Sequence, residues 1–277
     1  MKILVPIKRV ADPDNANKVK ISADGKEVTT EGLSWDVNPF DLYAVEAAIR
    51  MTENGPKKMR LGEVVVMTIG PKEVNIQLRR CLAMGAEKAV RVDSEDPKLD
   101  SWVVARTIAK VYEKEKPDAV FIGKQVVDGE SMQVAQILSR LLGMAQATFI
   151  AGIEHKPDDT AVTLTREVDG GIFKARLSLP AIVSFNERIL QSRAVKNGVT
   201  PETHNYPNDN VRYTPLPMIK KAEKKPLEET TLADLGVDET MKVEYIGFQA
   251  PAARKAGIKV ESVEALVDKL KNEARVI

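Results

Sequence analysis

The sequence predicts an α/β fold: a parallel sheet covered by helices, an antiparallel extension beyond it, and a C-terminal arm with little core of its own. Three observations carry this. Short Val- and Ile-rich runs alternate with helical patterns through residue 142, which is the spacing of successive βαβ units. After Gly143 the helical patterns stop and strand patterns follow one another, with Asp169-Gly170-Gly171 as a turn between two of them. Beyond Thr231, residues 263–271 are the single helical stretch and little else there builds a core.

The first apolar run, residues 3–7, opens the sheet, and runs at 64–69, 89–92 and 119–122 continue it. Each is short, polar-bounded and apolar on both sides, as strands covered on both faces require. Helices are expected at 39–51, 73–84, 102–116 and 132–142. The first has Asn38 as a candidate N-cap and Pro39 at the first helical position, where a missing N–H costs nothing. An excursion interrupts the first unit. Residues 19–22 and 27–29 flank Ala23-Asp24-Gly25-Lys26, a hairpin signal. In the second half, strands are expected at 148–154, 161–168, 173–177 and 181–185. The stretch 186–210 is polar and reads as a long loop, and loops of more than about 12–15 residues are usually functional or disordered. The basic run Lys220-Lys221-Ala222-Glu223-Lys224-Lys225 follows. These shifts divide the chain into an α/β domain over 1–210, a segment at 211–225, and an arm over 226–277.

Composition bounds the function. The chain has 277 residues, 43% of them apolar, and 41 basic against 40 acidic residues leave a formal charge of +1. That balance gives no general attraction to nucleic acid or to an anionic membrane. One cysteine, Cys81, excludes an internal disulfide or cysteine cluster, and its helical setting reads as a buried small hydrophobe. The chain opens on a strand pattern without a signal-peptide profile, and no segment approaches the ~20 apolar residues of a membrane span. The expectation is a cytoplasmic protein.

In an open parallel sheet, ligands bind outside the carboxyl ends of the strands. Those ends are Pro6-Ile7-Lys8-Arg9, Thr68-Ile69-Gly70-Pro71 and Gly123–Gln133, with Asn38-Pro39-Phe40 reaching the same rim. The stretch 123–133 combines a glycine at the strand exit with Ser131 at a helix mouth, and exposed N–H groups there suit a phosphate. An alternative leaves Ser131 as an N-cap and Gly129 as a turn residue. No Gly-x-Gly-x-x-Gly or Walker pattern is present. His155 and His204 sit apart in polar contexts and read as solvated. No nucleophile elbow, cysteine–histidine pair or isolated carboxylate pair appears, so no catalytic residues are assigned.

Several segments taken together resemble the beta subunit of electron-transfer flavoproteins: Val37-Asn38-Pro39-Phe40, Ala83-Met84-Gly85-Ala86-Glu87, Gly123-Lys124-Gln125 with Asp128 and Gln133, Arg166-Glu167-Val168-Asp169-Gly170-Gly171, and Leu179-Pro180-Ala181-Ile182-Val183. The resemblance runs through most of the chain in the family's order. It implies a flavodoxin-like or adenine-nucleotide-alpha-hydrolase-like domain. It also implies a structural AMP contacted by Pro6, Asn38, Ile69, Val126, Val127, Asp128, Gly129, Ser131, Gln133 and Val134. The arm would pack on an alpha subunit that holds most of the FAD, in a heterodimer carrying electrons from acyl-CoA dehydrogenase-type donors. Residues 212–220 resemble the family's docking loop, with Leu216 as the anchor. Bifurcating relatives, which hold a second FAD in place of AMP and use NADH, share part of Asp128-Gly129-Glu130-Ser131-Met132-Gln133-Val134-Ala135. There Ala135 stands in place of a glycine, and its Cβ is expected to hinder a dinucleotide. The sequence departs from the family at about 190–210, where roughly twenty extra polar residues form an insertion of a size that loops tolerate.

Overall fold

A computed structural model describes every residue except 13, 15–17, 30, 207–209 and 253–255. The chain forms two compact units: Met1–Val19 with Thr30–Glu244, and Lys20–Thr29 with Tyr245–Ile277.

The elements follow the expected alternation. The chain begins with β1 (Lys2–Pro6), β2 (Arg9–Ala11), β3 (Lys20–Ile21), β4 (Val28–Thr29), β5 (Trp35–Val37), α1 (Pro39–Met51), β6 (Glu53–Asn54) and β7 (Met59–Arg60). It continues through β8 (Glu63–Ile69), α2 (Asn75–Met84), β9 (Lys88–Asp93), α3 (Ser101–Glu115), β10 (Ala119–Gly123) and α4 (Val134–Leu142). Then come β11 (Ala145–Glu154), β12 (Ala161–Val168), β13 (Gly171–Ser178), β14 (Ala181–Phe185), β15 (Val195–Lys196), α5 (Leu216–Glu223), β16 (Leu227–Thr231) and α6 (Val263–Asp268).

One ten-stranded sheet dominates the first unit, in the order β13-β12-β11-β14-β10-β1-β8-β9-β16 with β15 beside β11. From β11 through β14 to β16 all pairs are parallel, whereas β11–β12 and β12–β13 are antiparallel. Strand side chains alternate between faces, and the core divides accordingly. Ile3, Val5, Val64, Val66 and Phe121 pack with Val45 and Ile49 of α1 and Leu78 and Leu82 of α2. Leu4, Val65, Met67, Val120 and Ile122 pack on the other face with Val103 and Ile108 of α3 and Leu138 of α4. Both faces of the central strands are therefore apolar, and those strands read as continuous hydrophobic runs. Cys81 is fully buried in the first cluster, and burial pushes its thiol up to about 12.

Several expectations shift. Residues 72–74 form a 3₁₀ turn, so α2 starts at Asn75. The third helix starts one residue early because the Asp100 carboxylate accepts the Val103 N–H at 2.8 Å and caps it. The helix expected from 132 begins at Val134, since Glu130 (φ 49°) and Met132 (φ 53°) lie in the left-handed region, which a helix cannot include. The stretch 186–210 is packed where it is described: Ile189, Leu190, Val195, Asn197 and Tyr206 are buried, and β15 adds to β11. Residues 211–225, expected as a loop, contain α5. The arm expected from 226 starts with β16, which extends the sheet beside β9, and Leu232 and Val237 are buried in the second core cluster.

In the second unit, β3 and β4 pair antiparallel. Their turn is closed by Asp24, which accepts from Ser22 Oγ at 2.6 Å and from the Lys26 N–H at 3.1 Å, with Gly25 at φ 71°. The Phe248 N–H donates to the Gly25 carbonyl at 2.7 Å. Helix α6 is capped by Ser262, and Tyr245, Ile246, Ile258, Val263, Leu266, Val267 and Val276 are exposed. Among the described residues no helix is long and apolar enough to cross a membrane.

Candidate functional site

The order of the sheet locates the site. From β1 the chain steps to β8 and β9 on one side, then crosses to β10 on the other. Strand order reverses between β1 and β10, and loops leaving such a pair splay apart to leave a crevice at their carboxyl ends. Pro6 and Gly123 end these two strands, and Ile69 ends the adjacent β8. The rim thus collects three expected segments from distant parts of the sequence.

Asn38 ties them together. It precedes α1, but its side chain makes no capping bond. Its amide donates to the Gln125 carbonyl at 2.8 Å and accepts the Val127 N–H at 3.2 Å. Asn38 is fully buried, so these bonds satisfy both ends of an amide that water cannot reach. The cap expected of Asn38 is replaced by a clasp on the loop after β10. Leucine or alanine at this position would leave the Gln125 and Val127 backbone groups without their partner.

Gly123 permits the close approach of α1 to β10, because a Cβ there would come within 2.7 Å of the Phe40 backbone carbon. Into this contact projects Asp41, which accepts the Lys8 N–H at 2.8 Å and the Gly123 N–H. Burial pushes its carboxyl up to about 7, opposed by those hydrogen bonds and by the Lys8 charge.

Beyond the clasp the loop turns outward. Val126 and Val127 are half-buried, Asp128, Gly129, Ser131 and Gln133 are exposed, and Val134 opens α4. Asp128 pairs with Lys8 at 2.6 Å. Ser131 is not an N-cap: its hydroxyl lies 3.1 Å from that of Ser101, and the cap position belongs to Gln133. Among the described residues, the N–H groups of Ser131, Met132 and Gln133 have no protein acceptor. Unpaired N–H groups at a helix start beside a lysine suit an anion. Gly129 lacks a left-handed φ and has room for a Cβ, so its type is not demanded by the backbone. Ala135 is buried in the second core cluster, so its Cβ faces the core and does not stand in the crevice, contrary to the role expected of it.

Lys8 and Asp41 are the rim residues that sequence reasoning passed over. Lys8 lay in the strand exit already singled out, and Asp41 in the first turn of α1. What brings them to the loop is pairing between residues 33 and 120 positions apart.

Leu216 is not part of the rim. It opens α5, which packs against α2, and is 63% exposed with Tyr213 at 87% and Ile219 at 41%. His155 and His204, expected as solvated, are half-buried. His155 lies 3.3 Å from the Ala161 carbonyl, and His204 meets the Tyr206 ring edge-on at 4.7 Å. Among the described residues no His/Cys/Asp/Glu group is arranged to hold a metal.

Comparison with known proteins gives the chain's relatives. The sequence profile described as "Electron transfer flavoprotein domain" matches residues 26–235. The chain is 42% identical over 277 residues to the electron transfer flavoprotein subunit beta of Bradyrhizobium diazoefficiens, across 100% of both chains. It is 36% identical over 277 residues to the mitochondrial subunit beta of Arabidopsis thaliana, again across 100% of both. With the Homo sapiens subunit beta it shares 37% over 279 residues, covering 100% of this chain and 99% of the relative.

Proposed function

The chain belongs to the electron transfer flavoprotein beta-subunit family, and from that premise we propose that it binds AMP at the β1/β10 rim, joins an alpha subunit that holds most of the FAD, and relays electrons from acyl-CoA dehydrogenase-type donors. The observation that carries the nucleotide reading is the reversal of strand order between β1 and β10, with a loop pinned by Asn38 and free N–H groups at the start of α4.

The residues fit a single phosphate. The Ser131, Met132 and Gln133 N–H groups supply donors, and Lys8 supplies a charge that Asp128 holds in place. For the base we assign the apolar residues of the same strand ends and loop, Pro6, Ile69, Val126 and Val127. FAD bound mainly by the partner supplies the reversible electron chemistry. The share of this chain is to orient the loop, exclude water and present docking surfaces, since redox tuning rests on burial and hydrogen bonds around the flavin.

The exposed apolar residues of the second unit are the surface offered to the alpha subunit, and Leu216 is the anchor offered to the dehydrogenase. Isolated apolar anchors of this kind carry most of the energy of a small, transient interface.

Cofactor content tests the reading. The purified heterodimer, denatured and its nucleotides quantified, is expected to release one FAD and one AMP and to show no direct reduction by NADH. Two FAD without AMP, with rapid bleaching by NADH, would instead establish a bifurcating subunit with a second FAD in the rim.

A further inference from the structure

We infer that the packed segment 187–206 and a four-residue charge cluster, in which Glu46, Arg50 and Glu53 are buried and Arg212 half-buried, form a positioning device for the apolar face Tyr213/Leu216/Ile219, with Arg212 as its positioning residue. The inference rests on the reading of that face as a docking surface. It assigns a role to the stretch that departs from the family pattern.

Arg212 lies immediately before the face and is locked to the body of the first unit. Its guanidinium donates to Glu46 at 2.8 and 3.1 Å and to Glu53 at 2.8 and 3.1 Å, and its backbone N–H reaches Glu46 at 3.3 Å. Glu46 also receives Arg50 Nε at 2.7 Å. Two arginines and two glutamates thus close a balanced cluster. Burial pushes the Glu46 carboxyl up, but the charges and hydrogen bonds of Arg212 and Arg50 outweigh it and hold it below the usual carboxylate range. Paired forks of this kind are directional, and they lose much of their geometry when lysine replaces arginine.

Such a cluster holds position only while water is kept out, and that is the work of residues 187–206. Arg50 donates to the Leu190 carbonyl at 2.8 Å and lies 4.7 Å from the Tyr206 ring centroid. Asn197, buried, donates to the Arg50 and Glu53 carbonyls at 2.9 and 2.6 Å and accepts the N–H groups of Val199 and Thr200. Thr200 Oγ1 donates to the Glu53 carbonyl at 3.1 Å, and the His204 ring covers Gly55, where a Cβ would come within 2.6 Å of it. Arg50 and Glu46 are each 2% exposed as a result.

The far end of α5 is fixed independently. Arg79 donates to the Ala222 and Lys225 carbonyls at 2.6 and 2.9 Å, and Lys225 Nζ to the Leu82 and Ala86 carbonyls at 2.9 and 2.5 Å, at the C-terminal end of α2. Helix α5 is therefore held at both ends, with its apolar face outward. A face ordered before the partner arrives loses less entropy on docking than one ordered by it.

The test compares wild type, Arg212→Lys, Asn197→Ala and Leu216→Ala, each as the full chain in its heterodimer. Asn197→Ala keeps every charge, which guards against a misfolded Arg212 variant. Amide exchange over residues 213–223 is expected to quicken by about tenfold in Arg212→Lys and Asn197→Ala, with β1, β8 and β10 unchanged. KM for a reduced acyl-CoA dehydrogenase is expected to rise about fivefold with little change in kcat. Wild-type exchange over 213–223 in both variants, acceleration spread evenly through the sheet, or an unchanged KM while Leu216→Ala raises it, would each overturn the inference. If Leu216→Ala itself leaves KM unaltered, the docking reading falls, and exchange still decides whether the cluster positions the segment.

Discussion

Asp41 shows how one residue carries consequences from local geometry to pH behaviour. Its carboxyl is buried where Gly123 lets α1 touch β10, and burial raises it from an ordinary 3.8 to about 7. Between those values the folded state holds a proton that the unfolded chain has released. Stability therefore falls as pH rises through that window, and the cost is fully present above it. Asp41→Asn removes the titration. Relative to this variant, wild type is expected to lose about 2–4 kcal/mol of unfolding free energy between pH 4 and pH 8, with the difference flat above. Urea unfolding of both proteins across that range measures it; parallel curves would show that another group titrates. Comparing the pair cancels the carboxylates held low by partners, such as Glu115 between Lys2 and Lys88.

At the scale of elements, α4 and α5 differ most from their sequence pattern, and both carry residues assigned to the proposed binding surfaces. Left-handed backbone at Glu130 and Met132 keeps α4 from starting before Val134, and so sets the unpaired N–H groups of Ser131, Met132 and Gln133 just ahead of its first turn. The second, α5, turns a segment that reads as a loop into a fixed helix with Leu216 at its start. Leu216→Ala is expected to weaken electron transfer from the dehydrogenase by about 1–3 kcal/mol, with the flavin spectrum and AMP content preserved. Stopped-flow transfer at limiting dehydrogenase measures this, and unaltered kinetics would dismiss Leu216 as an anchor.

For the whole molecule, the contrast lies between a unit with two buried apolar clusters and one whose apolar residues are exposed. Residues such as Ile246, 90% exposed, and Ile258, 81% exposed, leave apolar area in water that burial against a partner would remove. The alpha subunit is accordingly expected to protect residues 245–277 from proteolysis, whereas the chain alone is cleaved there. Limited digestion with and without the partner tests it, and equal cleavage would leave the arm without that role.

Local patterning determined most of the fold by itself. The alternation of apolar runs and helical stretches, the Asp24-Gly25 and Gly170-Gly171 turns, and α1 from Pro39 to Met51 follow from periodicity and turn chemistry that act over a few residues. The same reading found the rim segments, because strand exits are legible once strands are. Tertiary structure decided the rest. That Asn38 clasps the loop after β10 and leaves α1 uncapped, that Lys8 and Asp128 pair, that Ala135 faces the core, and that a polar stretch buries Asn197 and Tyr206 over Glu46 and Arg50 all depend on contacts between distant parts of the chain. A polar side chain announces that it needs a hydrogen-bond partner, but its sequence neighbours do not say which; the fold supplies that partner when it brings remote backbone groups within 3 Å or so and excludes the water that would otherwise compete.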